Sequence, residues 1–123
     1  MYIELAEVLK LRNYHTVLYT GKLQITARHL MPDEFIPEEV HKVDQVLQIL
    51  EGRAIVVIKQ KVRTYTAGEI VVVRAGKPHM VRPFPDNHIT LLSTYSSPLH
   101  LAGEIVERGP KFGKTDAGEF AHR

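Results

Sequence analysis

The sequence predicts an all-β domain built as an antiparallel sandwich or barrel. From Val17 onwards, short segments rich in β-branched residues recur at roughly ten-residue spacing, and clusters of Gly, Pro and Asp separate them. The pattern shows no alternation of strands with long helices, which argues against parallel α/β folds. We therefore expect strands at residues 17–20, 23–30, 45–50, 54–64, 70–74, 79–82 and 88–95.

The segments between and around these strands have their own signals. Glu51-Gly52-Arg53 and Ala67-Gly68-Glu69 predict hairpin turns, whereas longer loops are expected at residues 31–33 and 83–87. Residues 3–11 have a weak helical periodicity that predicts one or two helical turns. Residues 103–123 hold four glycines and mixed charge with few apolar anchors, a composition typical of a free tail. We nevertheless expect a C-terminal arm that docks on the barrel or on a neighbouring subunit.

Length and composition predict one domain, 1–123, with its barrel at about residues 14–98. The chain has 123 residues and is 44% hydrophobic, which is enough for a packed core. Sixteen Lys and Arg against fourteen Asp and Glu leave a net charge of +2, so no nucleic-acid or membrane-surface binding is expected. The absence of cysteine excludes disulfides, thiol catalysis, iron–sulfur clusters and cysteine zinc sites.

The remaining composition signals concern location. The N-terminus carries two acids early and lacks the basic-then-apolar layout of a signal peptide. Apolar runs fall well short of the roughly 20 residues that a membrane-spanning helix needs. These features predict a soluble, cytoplasmic protein.

Four side chains that can donate a lone pair to a metal follow the predicted strand pattern. The side of the strand that contains Leu47 also takes Gln45 and, extended backwards, His41 and Glu39. A Gly/Pro turn delivers His79 to the start of a later strand. Imidazole and carboxylate ligands suit a divalent metal ion such as Fe, Mn, Zn, Ni or Cu, and two histidines with one carboxylate form the facial pattern of non-haem Fe(II). The alternative is that Glu39 and His41 lie on a solvated loop edge.

A small-molecule pocket is predicted beside these groups. Leu91 and Tyr95 share one face of the last predicted strand, where Tyr95 either lines a pocket or is a core tyrosine with a satisfied hydroxyl. Arg28 and His29 are consecutive in a strand, so one of them faces the interior and could orient an anionic substrate, unless both lie at the surface. Arg28, Leu91 and Tyr95 are therefore the candidate pocket residues.

Other polar residues carry weaker signals. Lys59, Lys61 and Arg63 alternate along one strand face with Tyr65, which indicates either a phosphate or nucleic-acid contact or, as we favour, a solvated outer face. The remaining histidines have no ligand-like spacing and are predicted to be structural or exposed: His15, His88, His100 and His122. The serines lack a nucleophile-elbow context, and no phosphate-binding glycine loop is present.

The spacing of these residues matches two motifs of a known family. One motif is Gly, five residues, His-x-His, three or four residues, Glu, six residues, Gly, and its positions after the first are occupied here by Glu39, His41, Gln45 and Gly52. The other is Gly, five residues, Pro-x-Gly, two residues, His, three residues, Asn, and it is matched in register by Gly68, Gly76 and His79. The chain resembles the small single-domain cupins, in particular the cupin-2 group described as mannose-6-phosphate isomerase-like.

The resemblance implies a jelly-roll barrel, or double-stranded β-helix, that forms a homodimer. It also implies a metal-dependent enzyme acting on a small metabolite by dioxygenase-, isomerase- or decarboxylase-type chemistry, with Glu39, His41, Gln45 and His79 as ligands. It identifies no catalytic residue. One alternative is a non-catalytic cupin that binds or senses a small molecule with a weak or absent metal. The other is a structural partner protein, whose pocket would be filled by apolar side chains with His79 outside it.

The chain departs from both motifs. Asp33, Arg74 and Pro83 stand where the motifs have Gly, Pro and Asn. Glu39 replaces the first histidine ligand, and Gln45 replaces the glutamate. Because these two changes are opposite in charge, the ligand set keeps a net charge of −1, and we expect a divalent ion that is bound but loosely held.

Overall fold

The computed structural model describes residues 1–112, which form two antiparallel β-sheets and one short helix. The prediction of an all-β antiparallel fold is confirmed, as is the short N-terminal helix. The elements are α1 (Leu5–Val8), β1 (His15–Thr20), β2 (Gln24–Leu30), β3 (Ile36–Glu39), β4 (Gln45–Glu51), β5 (Arg53–Ile58), β6 (Lys61–Thr66), β7 (Ile70–Val73), β8 (His79–Pro83), β9 (Ile89–Tyr95) and β10 (Ile105–Val106).

The two sheets pack face to face around the main core. The larger sheet has the order β10-β1-β2-β9-β4-β7, and the smaller has the order β3-β8-β5-β6. Leu47 and Ile49 of the larger sheet pack with Val56 and Val81 of the smaller sheet in a common apolar cluster. Burial of such side chains stabilises the fold by about 1.5–3 kcal/mol each.

The inner face of the larger sheet changes from apolar to polar along its length. At one end Leu30 of β2 lies opposite Ile89 of β9, and both are fully buried. At the other end Tyr95 of β9 lies between Gln24 of β2 and Gln45 of β4. The core therefore closes one end of the barrel, and polar side chains fill the other.

The two predicted hairpins at glycine are wrong, although turns do occur there. Gly52 connects β4 of the larger sheet to β5 of the smaller one, and Gly68 lies between β6 and β7, which are also in different sheets. Both glycines have positive φ, 80° and 95° respectively. The sequence signal identified tight turns correctly, but whether the following strand pairs with the preceding one depends on long-range packing.

The predicted strand at residues 54–64 is two strands. A two-residue turn at Lys59 and Gln60, both with positive φ, reverses the chain into the β5–β6 hairpin. Neither residue is the Gly, Asn or Asp typical of such turns, so the sequence gives no warning.

The turn also overturns the predicted basic outer face. Arg63 lies directly opposite Val56, and Tyr65 lies opposite Ala54, so these side chains share the face of the sheet that carries the core. Tyr65 packs partly against the core, whereas Arg63 stays exposed on the edge strand.

The chain segment after residue 103 adds to the larger sheet. β10 pairs with β1, and the buried carboxylate of Glu34 accepts hydrogen bonds from the backbone N–H groups of Met31 (2.8 Å) and Gly109 (2.7 Å). The Phe112 N–H donates to the Asp33 carbonyl oxygen. The rest of the predicted arm, residues 113–123 with His122, lies outside the described residues.

Replacement of Gly52 tests the crossing between the sheets. A Cβ built at Gly52 collides with the backbone carbonyl oxygen of His88, and the positive φ adds strain. We expect Gly52→Ala to lower the free energy of unfolding by more than about 3 kcal/mol in urea titrations. Gly68→Ala is the matched control, because no atom lies within 4 Å of its Cβ position, and we expect it to cost only about 1–2 kcal/mol of backbone strain. Equal losses in the two variants would contradict the steric role of Gly52.

Candidate metal centre

Three potential ligands meet where the two predicted motifs pair with each other. Glu39 at the end of β3 lies directly opposite His79 at the start of β8. His41 follows β3 by two residues, and one ligand atom from each of the three side chains lies within 4.8 Å of the other two. The His41 Nε2 and Glu39 Oε1 atoms are 3.9 Å apart. Two imidazoles and one carboxylate thus converge at the polar end of the barrel.

The backbone route to this cluster differs from the one expected. Glu39 and His41 do not begin the strand that contains Gln45, because Glu39 ends β3 in the smaller sheet and Gln45 begins β4 in the larger one. The intervening loop is fixed to the segment before His79: the Gly76 N–H donates to the His41 carbonyl oxygen, and the Ala75 N–H donates to the Asp44 carboxylate, both at 2.8 Å. These bonds set the position of His41 relative to His79.

The unpaired atoms of both histidines fit a metal ion. His79 Nδ1 lies 3.0 Å from the Lys77 carbonyl oxygen, which can only accept, so Nδ1 carries the proton and Nε2 has the free lone pair. The Nε2 atoms of His79 and His41 are buried without a hydrogen-bond partner. Burial lowers the pKa of His41, while the Glu39 charge partly opposes this shift. A neutral imidazole with a free lone pair is the form that binds metals.

Gln45 lies opposite Tyr95, whose ring contacts His41, and it has one free acceptor. Its side chain is only 5% exposed, and its Nε2 donates to Ser93 Oγ at 3.0 Å. The amide oxygen, Oε1, is buried without a partner. Since a buried acceptor without a donor is costly, Oε1 fits a site that is completed by a cation or a water molecule.

The predicted pocket residues lie on neighbouring strands. Arg28 is 7% exposed, and its guanidinium carbon lies 5.0 Å from the centre of the Tyr14 ring. Tyr95 is 1% exposed, and its ring meets the His41 ring edge-on with the centroids 5.8 Å apart. Leu91 lies opposite Arg28 and belongs to the apolar core.

Two of the histidines predicted to be structural or exposed, His15 and His100, lie in the interior near Arg28. The His15 and His100 ring centroids are 4.4 Å apart, and the His100 and Tyr95 centroids are 5.5 Å apart. We call Tyr14, His15, Arg28, Tyr95 and His100 the arginine cluster, because the charge of Arg28 acts on the pKa of each of the other four.

The side chain of Gln24 explains why the interior position of His100 cannot be predicted from sequence spacing. Gln24 Oε1 accepts hydrogen bonds from the N–H groups of Leu99 and His100, at 3.0 and 2.9 Å. Gln24 Nε2 donates to the His100 carbonyl oxygen and to Thr20 Oγ1. Gln24 therefore holds a distant segment across the polar end of the barrel, a contact that no local motif signals.

A second group of potential ligands lies apart from this centre. His29, Glu51 and His88 offer atoms within 4.8 Å of one another. However, Thr90 Oγ1 already bridges His29 Nδ1 (3.2 Å) and Glu51 Oε1 (3.3 Å), and the charge of Arg12 contributes to lowering the pKa of His29, after burial. The positive surroundings and the existing hydrogen bonds disfavour metal binding by this group. It therefore serves as a control for the centre described above.

The fold and the polar cluster define a small jelly-roll barrel with a histidine–carboxylate centre. The Cupin_2 family model, described as a cupin domain, matches residues 28–93, more than half of the chain. The chain belongs to the cupin family. The resemblance to the mannose-6-phosphate isomerase-like group stays a prediction, and no curated protein matches the sequence significantly.

Solved structures agree with this assignment. A Bacillus halodurans protein, 26% identical, superposes with a TM-score of 0.84 over 88% of this chain and 89% of its own. A cupin superfamily protein from Desulfitobacterium hafniense, 19% identical, gives 0.68 over 78% of this chain and 90% of its own. A Thermus thermophilus protein, 23% identical, gives 0.70 over 80% of this chain and 100% of its own. The fold is thus that of cupins.

Within residues 1–112, no helix combines the length and the apolar character that crossing a membrane requires.

The buried histidines predict how stability depends on pH. Burial, followed by the charge of Arg28, lowers the pKa of His15 to about 3, below the ordinary value of 6.5. Below pH 6.5 the unfolded chain therefore binds a proton that the folded chain excludes, and the free energy of unfolding falls as pH decreases towards 3. In chelator-treated protein, we expect His15→Gln to reduce this slope by about 1 kcal/mol per pH unit in urea titrations between pH 6 and 4. Equal slopes for both proteins would contradict a neutral, buried His15.

Proposed function

We propose that this cupin binds one divalent transition-metal ion and acts on a small molecule inside the barrel. Glu39, His41 and His79 supply three of the ligands, and the amide oxygen of Gln45 supplies a fourth. The observation that carries the proposal is the convergence of three donor atoms within 4.8 Å, with both imidazole Nε2 atoms buried and unpaired. Two histidines and one carboxylate leave coordination positions open for substrate.

The charge of the centre supports a cation. Glu39 is the carboxylate of the group, and Gln45 contributes a neutral oxygen. A divalent ion bound there has its charge only partly neutralised, so it can act as a Lewis acid and orient a substrate oxygen. Around it, Glu39, His41 and His79 bind the ion, and the Tyr95 ring beside His41 forms a wall of the substrate site.

A non-catalytic binding or sensing role is the second candidate, and Gln45 favours it. An amide oxygen is a weaker metal donor than a carboxylate, because it carries no net charge. A centre with Gln45 releases its ion more readily than one with glutamate. A protein that responds to the level of a metal or a small ligand needs such reversible binding.

Metal retention tests the ligand assignment. After purification without chelators, elemental analysis is expected to find about one transition-metal ion per chain. His79→Gln should reduce metal affinity by more than about tenfold, because it removes a ligand whose orientation is fixed by Lys77. Gln45→Glu should strengthen retention, because it adds a charged donor.

The matched control is His88→Gln, which changes the second group of histidines and leaves the proposed centre intact. We expect this variant to retain as much metal as the unchanged protein. A wild-type protein without metal, or equal losses in the His79 and His88 variants, would contradict the proposed centre.

We also propose that the chain forms a homodimer. β7 is an edge strand of the larger sheet, and its side chains Ile70 and Val72 are 57% and 60% exposed. Edge strands with exposed apolar residues are usually covered by pairing. Light scattering coupled to size exclusion should give about twice the chain mass of 14.0 kDa, and a monomer at micromolar concentration would contradict the dimer.

A further inference from the structure

We propose that the arginine cluster is a subsite for an oxyanion, and that the molecule this cupin binds carries a carboxylate or phosphate group held by Arg28. The proposal rests on the proposed function only in taking the polar end of the barrel as the binding site.

Arg28 is a buried cation without a carboxylate partner. Its side chain faces the barrel interior from β2, and in residues 1–112 no carboxylate oxygen lies within the 4.0 Å ion-pair distance of its guanidinium. Its described direct contacts are with the Tyr14 ring and hydroxyl, and its charge also contributes to lowering the pKa of His41. Removing a charge from water without a counter-ion is costly, so an anionic ligand is the natural partner.

Three of the groups around Arg28 are neutral hydrogen-bonding side chains: His15, Tyr95 and His100. Burial lowers the pKa of His15 and of His100, and it raises the pKa of Tyr95, so none of the three adds a charge at neutral pH. The Nε2 atoms of His15 and His100 are buried without partners. An imidazole whose Nε2 carries the proton can donate to an oxyanion beside the guanidinium.

The arginine cluster and the proposed metal centre are continuous. The ring of Tyr95 contacts His41 on one side and His100 on the other, with centroid separations of 5.8 and 5.5 Å. Arg28 and Glu39 are opposite in charge, and the Glu34 carboxylate, whose charge also acts on Tyr14, pairs with Arg108 at 3.5 Å. A divalent ion at the proposed centre would add two positive charges. A small molecule with an anionic group on Arg28 and a second oxygen towards the metal centre matches both sites.

Guanidinium geometry sets the selectivity of this subsite. Arginine presents parallel N–H donors that bind two oxygens of a carboxylate or phosphate at once, whereas lysine binds as a point charge. A neutral amide of the same shape offers one acceptor per group and no charge. The subsite should therefore bind malonate more tightly than malonamide.

Calorimetric titration of chelator-treated protein tests the subsite without direct binding of the probe to a metal. We expect malonate to bind at least about tenfold more tightly than malonamide, and Arg28→Met to abolish this difference. Arg28→Lys should restore part of it. Inorganic phosphate in place of malonate distinguishes the two oxyanions: the probe with the lower Kd identifies the group that the subsite prefers.

The matched control is Arg63→Met. Arg63 also lies over a tyrosine ring, at 5.2 Å from the centre of Tyr65, but on an exposed edge strand. Its removal should leave malonate binding unchanged. Equal binding of malonate and malonamide, or equal effects of the two methionine variants, would overturn the subsite.

Metal content measured on the same protein preparations before chelator treatment separates this proposal from the proposed function. Arg28→Met should keep the metal of the unchanged protein while losing malonate selectivity. If the unchanged protein holds no metal but still prefers malonate, the subsite stands and the metal centre falls. If metal is retained but malonate is not preferred, the subsite is wrong and the metal centre stands.

Discussion

The register between β2, β9 and β4 is the constraint on which the polar centre depends. Each strand has an inner face that is apolar at one end and polar at the other, and the antiparallel pairing aligns the polar ends. A shift of one residue in any of the three would turn Arg28, Tyr95 or Gln45 outwards and bring a neighbouring side chain into the core. The same alignment that buries Leu30 and Ile89 therefore assembles the polar centre.

The smaller sheet supplies the second half of the centre through a single pairing. Glu39 and His79 face each other because β3 and β8 are neighbours, although 39 and 79 are far apart in sequence. Backbone hydrogen bonds between the loop after β3 and the turn before β8 then fix His41. The ligands are thus held by main-chain contacts, which tolerate changes in side-chain identity such as glutamate for histidine at position 39.

Much of the fold could be predicted from the sequence, since strand alternation in β4 and β9 and the spacing of Gly68, Gly76 and His79 are local signals. β3 was harder to recognise, because Ile36-Pro-Glu-Glu is polar and contains proline. The turn at Lys59 and Gln60 lacks the residues typical of positive φ.

The composition of the interior depends on contacts that sequence spacing does not reveal. The inward position of Arg28 rather than His29 depends on how β2 packs between its neighbours. His100 is held in the interior by the hydrogen bonds of Gln24, a residue 76 positions earlier in the chain. Local patterns therefore identified the candidate metal ligands, whereas the arginine cluster required the three-dimensional structure.

The docking of β10 against β1 has a consequence for the order of events during synthesis. Among the described strands, β1 is synthesised before the others, yet one of its two neighbours is made of residues 105–106. The carboxylate of Glu34 likewise lacks one donor until Gly109 has emerged. This corner of the barrel therefore closes late in translation, after the remaining strands of the larger sheet are available to pair.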